Sequence, residues 1–395
     1  MHPVIARRAR LGLIISAVML AGCSNGWSGT APRPSAPPAT PPGTAAAPDL
    51  LPGMPPPLSP TDVYAATREL SPAVADQPTR VYVPNSESDT ITVIDPDSFQ
   101  VIDTFPSGGR EPQHVVPAYD MQMLYANNDL PIGSGSLLPI DPRTGKAGDP
   151  IPVRDPYNMY FTPDGKYALV VAEADRSLDF YDPHSWAKLH DIAVPDCAGV
   201  NHMDFTADGR TALVSCEFSG RLAVVDIAGL RLLRMIDLPG GRSGMPQDVK
   251  LAPDGRTFCV ADMMADGIYV FDAKTFDNTG FIATGAGAHG LYVTRDSKQM
   301  LITNRKEGSI SVLDFATGQL ASKWRIPGGG SPDMGNLSAD GRVFWVSGRN
   351  NSEVYAIDIV EWKLLARIPV GRGAHGLTIW PQPGRYSTGH TGVMR

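Results

Sequence analysis

The sequence predicts an all-β fold, a seven-bladed β-propeller with four-stranded blades, and three observations carry that expectation. A motif recurs seven times at near-constant spacing. The apolar runs inside each repeat are only four to six residues long. Turn residues, most often Asp-Gly, separate those runs. Short apolar runs bounded by turns at regular intervals read as strands, and a repeat of this length with four of them reads as a propeller blade.

The repeat is seen by aligning the loops that lead into one strand of each unit: EPQHVV, DPYNMYF, GVNHMDF, MPQDVKL, GAHGLYV, SPDMGNL and GAHGLTI. The Pro-like position falls at 112, 156, 200, 246, 288, 332 and 374. Turns of the form TPDGK, TADGR, APDGR and SADGR follow, where glycine supplies the left-handed backbone that a tight hairpin needs. An apolar strand such as YALVV or TFCVA comes next, then one ending in Asp (ITVID, LAVVD, ISVLD, VYAID), then a third such as KLLARIPV. The first repeat begins at its second strand, at residue 81, and the last ends on its innermost strand. The C-terminal strand is therefore expected to pair with the N-terminal three, closing the ring and removing its edges.

The chain ahead of the repeats reads as export and tether. Arg7, Arg8 and Arg10 precede an apolar run from Leu11 to Leu20, too short for a comfortable bilayer span. Leu20-Ala21-Gly22-Cys23 has the form of a bacterial lipoprotein box. Residues 1–22 are thus expected to be a signal peptide, Cys23 a lipidation site, and the membrane a partner through that lipid. The expected location is the extracytoplasmic face of the cell membrane. Residues 23–60 are rich in Pro, Ala, Ser, Gly and Thr and read as a disordered linker. Residues 61–79 are a lead-in of mixed character, 80–380 the propeller, and 381–395 a tail. That tail, with His390, is expected to emerge on the face of the Asp-Gly turns, either covering the bottom of the channel or hanging free.

The formal charge of the chain is -7, and the first 22 residues contribute three arginines and no acid. So acidic a mature chain gives no reason to expect nucleic acid as a partner.

VYVPNSESDTITVIDPDSFQVIDTF and MLITNRKEGSISVLDFATGQ resemble the YVTN-repeat, YncE-like propeller family over about residues 80 to 380. The resemblance implies a secreted or surface propeller. Neighbouring seven-bladed families include lactonases and haem d1-binding propellers.

Propeller topology puts the loops entering the inner strands and those leaving the second strands on one face, around the mouth of the axial channel. Two rows of residues follow the Pro-like position. The first is Gln113, Tyr157, Asn201, Gln247, His289, Asp333 and His375; the second is His114, Asn158, His202, Asp248, Gly290, Met334 and Gly376. Residues after the second strands add Glu173, Glu217, Asp262, Arg305 and Arg349, and the loops add Arg110, Arg242 and Arg372. These arginines are candidates for binding an anion. Imidazole with carboxylate suits zinc, iron or copper, so a metal ion is the one cofactor suggested. Because successive strand residues point to opposite faces, the two rows are not expected to converge on one ion. The candidate set is His114, His202, Asp248 and Glu217, with backbone-bonded polar lining as the alternative. Cys197 and Cys216 fall in one blade near the mouth, where a disulfide or, with His202, a metal site is possible; Cys259 reads as core.

No nucleophile-and-base motif is present: there is no G-x-S-x-G, no H-E-x-x-H and no phosphate-cradling loop. The expected function is therefore a non-catalytic module at the cell envelope that presents its polar mouth to a small ligand or an envelope protein. The rival readings are a lactonase-like hydrolase, or a redox accessory protein holding a metal or haem.

Overall fold

The computed structural model describes residues 49–130 and 135–395. The expected signal peptide, Cys23 and most of the linker lie outside the described residues. Within them the chain is all-β, with no α-helix and two short 3-10 turns. No helix among the described residues is long and apolar enough to cross a membrane.

Seven antiparallel sheets form the ring. Blade 1 combines residues 80–106 with Thr378–Trp380; blades 2 to 7 span residues 112–152, 156–193, 200–237, 246–283, 288–325 and 332–369. Closure is as the repeat register requires: Arg80 pairs with Trp380, Val81 with Ile379 and Tyr82 with Thr378. The Asp-Gly turns hold because each part has a bonding role. Gly165, Gly209, Gly255 and Gly341 sit at φ between 69° and 74°. The preceding aspartates accept the N–H two residues on, as from Lys166 to Asp164 and from Arg210 to Asp208.

The core is divided, and the division explains the ring. Apolar clusters lie in the gaps between neighbouring blades. One joins Phe180 and Leu169 of blade 3 to Val214 and Phe205 of blade 4, and another joins Leu301 and Ile310 of blade 6 to Phe344 and Tyr355 of blade 7. Inner strands are buried along their whole length, whereas outermost strands such as Gln100–Pro106 are largely exposed. No blade hides its faces alone, so each depends on both neighbours. Emptying one gap, as in Phe344→Ala, costs about 3–5 kcal/mol.

The face of the Asp-Gly turns is closed by chain from outside the repeats. Leu51 donates its N–H to Asp208 O at 2.7 Å, and Val63 to Pro253 O at 2.8 Å. The Tyr64 hydroxyl donates to Leu251 O at 2.8 Å. Residues 49–60, expected to belong to the tether, are thus held against the ring at Leu51. The tail enters the channel itself. Ser387 Oγ donates to Pro117 O in blade 2, the His390 N–H to Met159 O in blade 3, and Arg395 Nη2 to Asp204 Oδ1 in blade 4 at 2.7 Å. Asn336 of blade 7 bonds the carbonyl of Thr391. Gly389 passes so close to blade 3 that a Cβ would lie 2.5 Å from Tyr160 Cα, and its φ is +97°. Only glycine fits there. Of the two expectations for the tail, the channel floor is the one observed.

Candidate functional site

The channel is built by a slip in every inner strand. Register shifts fall between Pro112 and His114, Pro156 and Asn158, Val200 and Met203, Pro246 and Val249, Ala288 and Leu291, and Pro332 and Gly335. In blade 1 the same slip separates the Asn85–Ala374 bridge from the Tyr82–Thr378 pair. A bulge re-aims side chains that strict alternation would send apart. The two rows therefore stack along the axis and do not face opposite ways. His114 of the second row packs its ring 4.7 Å from His375 of the first and 5.2 Å from His202 of its own.

The upper level opens on the mouth as a cavity of about 270 Å³, lined by Gln113, Tyr157, Gln247, His289 and His375 from the first row. Around it stand the residues that leave the second strands: Asp129 of blade 2, Glu173 of blade 3, Glu217 of blade 4, Arg305 of blade 6 and Arg349 of blade 7. Charge is thus split, with acids on three consecutive blades and arginines on two others. Glu111 adds a further acid and Phe218 an apolar wall. Asp333 lies beneath the arginines. Its Oδ1 is 3.0 Å from Arg305 Nη1 and 3.2 Å from His289 Nδ1, and its Oδ2 is 3.9 Å from Arg349 Nη1 and 3.6 Å from His375 Nε2. Arg349 Nη1 is buried and has no hydrogen-bond partner.

The lower level holds His202, Asp248 and His390 around the axis, with His114 above them. His390 Nε2 is 3.6 Å from Asp248 Oδ1, and the His390 ring lies 4.6 Å from that of His202. Two trios therefore bring potential metal donors together: His289, Asp333 and His375 above, and His202, Asp248 and His390 below. Glu217 does not join His202 and Asp248 as the sequence suggested. It sits at the mouth, accepting a 2.5 Å hydrogen bond from Asn201 Nδ2. His390 from the tail takes the place assigned to Glu217.

With this geometry the comparisons with known proteins become interpretable. A model of the YNCE-like beta-propeller family matches residues 45–383. The chain belongs to that family. No protein with a curated description matches it. Among solved structures, Kuenenia stuttgartiensis hydrazine synthase is 20% identical with a TM-score of 0.57, covering 66% of this chain and 87% of its own. A Bacteroides uniformis protein assigned as a 6-phosphogluconolactonase is 14% identical with a TM-score of 0.62, covering 77% of this chain and 100% of its own. The dihydro-heme d1 dehydrogenase NirN, in complex with DHE, is 18% identical with a TM-score of 0.55, covering 87% of this chain and 83% of its own. Identities this low show a shared fold.

Burial dominates the electrostatics of this YNCE-like channel. It pushes Asp129 up to about 9, with the charges of Glu173 and Asp155 adding to it, and Glu173 up to about 8, helped by Glu217 and Asp155. Burial also raises Glu217, against the pull of its bonds from Gln247 and Asn201 and of Arg305. The five channel histidines are held well below the usual imidazole range, again by burial first. They are neutral rings in the folded protein.

Several expected site residues lie elsewhere. Arg110 is exposed, 3.8 Å from Asp89, and Arg242 and Arg372 are exposed on their loops. None of the three lines the cavity. Asp262 is one position out of register with Glu217 and Arg305. It ends its strand, and its Oδ1 accepts the N–H groups of Met245, Met264 and Ala265 at 2.9 to 3.1 Å, a turn-holding role. Asp129 was missed because its blade carries none of the Asp-Gly turns that mark the register in blades 3, 4, 5 and 7. Cys197 and Cys216 form a disulfide with Cα atoms 4.9 Å apart, and Cys259 is a buried free thiol.

Proposed function

We propose that the chain is an exported, lipid-tethered binding module whose mouth takes a small dipolar ligand. The anionic end of that ligand sits on Arg349 and Arg305, and the cationic end on Glu173, Asp129 and Glu217. The supporting observation is the separation of charge by blade around one cavity, with Arg349 Nη1 buried and unpartnered on the basic side. An unpartnered buried donor costs about 1–3 kcal/mol until something accepts from it. A volume near 270 Å³ suits a ligand of amino-acid size. The acid-rich rim works against a phosphate backbone, and the absence of a nucleophile with a base favours binding over turnover.

Calorimetric titration of the full chain with a panel of zwitterions, simple anions and simple cations tests this. Zwitterions are expected to bind at least ~10-fold more tightly than either partial ligand, and Arg349→Ala to remove that advantage. Affinity for the cationic end should rise with pH as Glu173 and Asp129 ionise, through about 8 and about 9. Equal affinity across the panel, or an Arg349→Ala variant that binds like the parent, would refute the reading.

A further inference from the structure

The lower level of the channel has no role in that reading, yet it holds buried polar atoms left without partners. His202 Nε2, Asp248 Oδ1 and His390 Nε2 are buried and each lacks a hydrogen-bond partner. One donor atom from each of the three residues can be chosen so that all lie within 4.8 Å of one another. All three side chains have zero solvent exposure. Both ring nitrogens of His114, just above, are unpartnered too. Buried polar atoms are rarely left so.

We propose that His202, Asp248 and His390 form a binding site for one divalent first-row transition-metal ion such as zinc. Two imidazoles and a carboxylate are donors these ions accept, and an ion at their centre would engage all three orphaned atoms at once. The surroundings fix the donors. Asp248 Oδ2 accepts the Leu291 N–H at 2.9 Å, which leaves Oδ1 for the axis. The His202 backbone is anchored by its N–H to Ser215 Oγ at 3.0 Å. Lys250 Nζ lies 3.9 Å from Asp248 Oδ1, and a bound ion has to displace this ammonium group from the carboxylate.

Asn158 sets which ring nitrogen carries the proton. Its Nδ2 lies 2.9 Å from His202 Nδ1 and 3.0 Å from His390 Nδ1, while its Oδ1 accepts the Met159 N–H at 2.8 Å. In that orientation both Nδ1 atoms accept and both Nε2 atoms are protonated. A half-turn of the amide puts Oδ1 between the rings, where it accepts from both Nδ1–H groups and frees both Nε2 lone pairs for the ion. The Met159 bond is given up in exchange. Asn158 is thus a positioning residue that sets the tautomer of two ligands. The upper trio differs in degree: two arginines stand against Asp333, Arg305 at 3.0 Å and Arg349 at 3.9 Å, whereas Asp248 has a single lysine at 3.9 Å. His390 comes from the tail, so the ion would also pin the floor to the ring.

The test is a zinc titration of the full chain against a competing chelator, with cobalt absorption as a second readout. One ion per chain is expected. His390→Gln and Asp248→Asn should each weaken zinc by ~100-fold or more, and Asn158→Asp, an obligate acceptor, should tighten it by ~10-fold. His190→Ala, at an exposed histidine, should change nothing. Absence of a chelator-resistant ion, or unchanged affinity in both weakening variants, would overturn the proposal. Folding is checked by circular dichroism. If the weakening variants fail to fold, the Asn158→Asp arm decides alone, since damage does not tighten a site: unchanged or weaker zinc binding there overturns it equally.

Discussion

The two ends of the channel are built on the same bulged strands and have opposite characters. The mouth is open, lined by ionisable groups, and divided into an acidic and a basic side. The floor is shut, with neutral rings and one carboxylate packed under a folded tail. The bulges supply inward-pointing positions at both levels. What differs is where the remaining groups come from: at the mouth, from one equivalent position in each repeat; at the floor, from the tail. A repeat fold makes a site by varying equivalent positions, or by adding a segment that obeys no repeat.

The contrast is most sharply tested by acid. The five channel histidines are neutral in the folded state because burial disfavours their charge, whereas in the unfolded chain they titrate near 6.5. Below that pH the unfolded state binds more protons, so stability falls, by at most about 1.4 kcal/mol per pH unit for each ring that stays neutral. Chemical denaturation from pH 7 to pH 5 should show a steep loss, and a shallow profile would mean the rings are not sealed. Arg395→Ala comes next. It leaves Asp204 buried without its 2.7 Å partner and removes the cation resting 4.3 Å from the Tyr64 ring. A loss of about 3–5 kcal/mol is expected, and a change under 1 kcal/mol would show that the tail is not part of the fold's foundation.

The mouth gives a smaller effect of opposite sign. Glu173 is raised to about 8, so the folded state holds its proton where the unfolded chain has lost it. Its contribution to stability is full below about 4.5 and declines as pH rises to about 8, by about 1.4 kcal/mol per unit. Glu173→Gln should remove that decline, so that stability from denaturation curves falls about 1.4 kcal/mol per unit more steeply from pH 7 to pH 5 than in the parent.

Much of this was legible in the residues. Seven Pro-like positions gave the blade number and the closing pair, and the first row gave Gln113, Gln247, His289 and His375 at the mouth. Alternation misled over the second row, because a bulge depends on strand register and leaves no mark in composition. Asp262 was misplaced by one position for a related reason, since its strand ends in an acid one residue before the site position. His390 could be seen as a histidine in the tail, but its position at the axis follows from tertiary packing, for which Gly389 and Gly392 were the only local signs.

Anomalous scattering at the zinc edge, from crystals of the full chain grown with zinc, tests the division of the channel most directly. The expected result is a single peak bounded by His202, Asp248 and His390, with none between His289, Asp333 and His375. A peak in the mouth trio, or none at either level, would contradict the assignment of an ion to the floor and a dipolar ligand to the mouth.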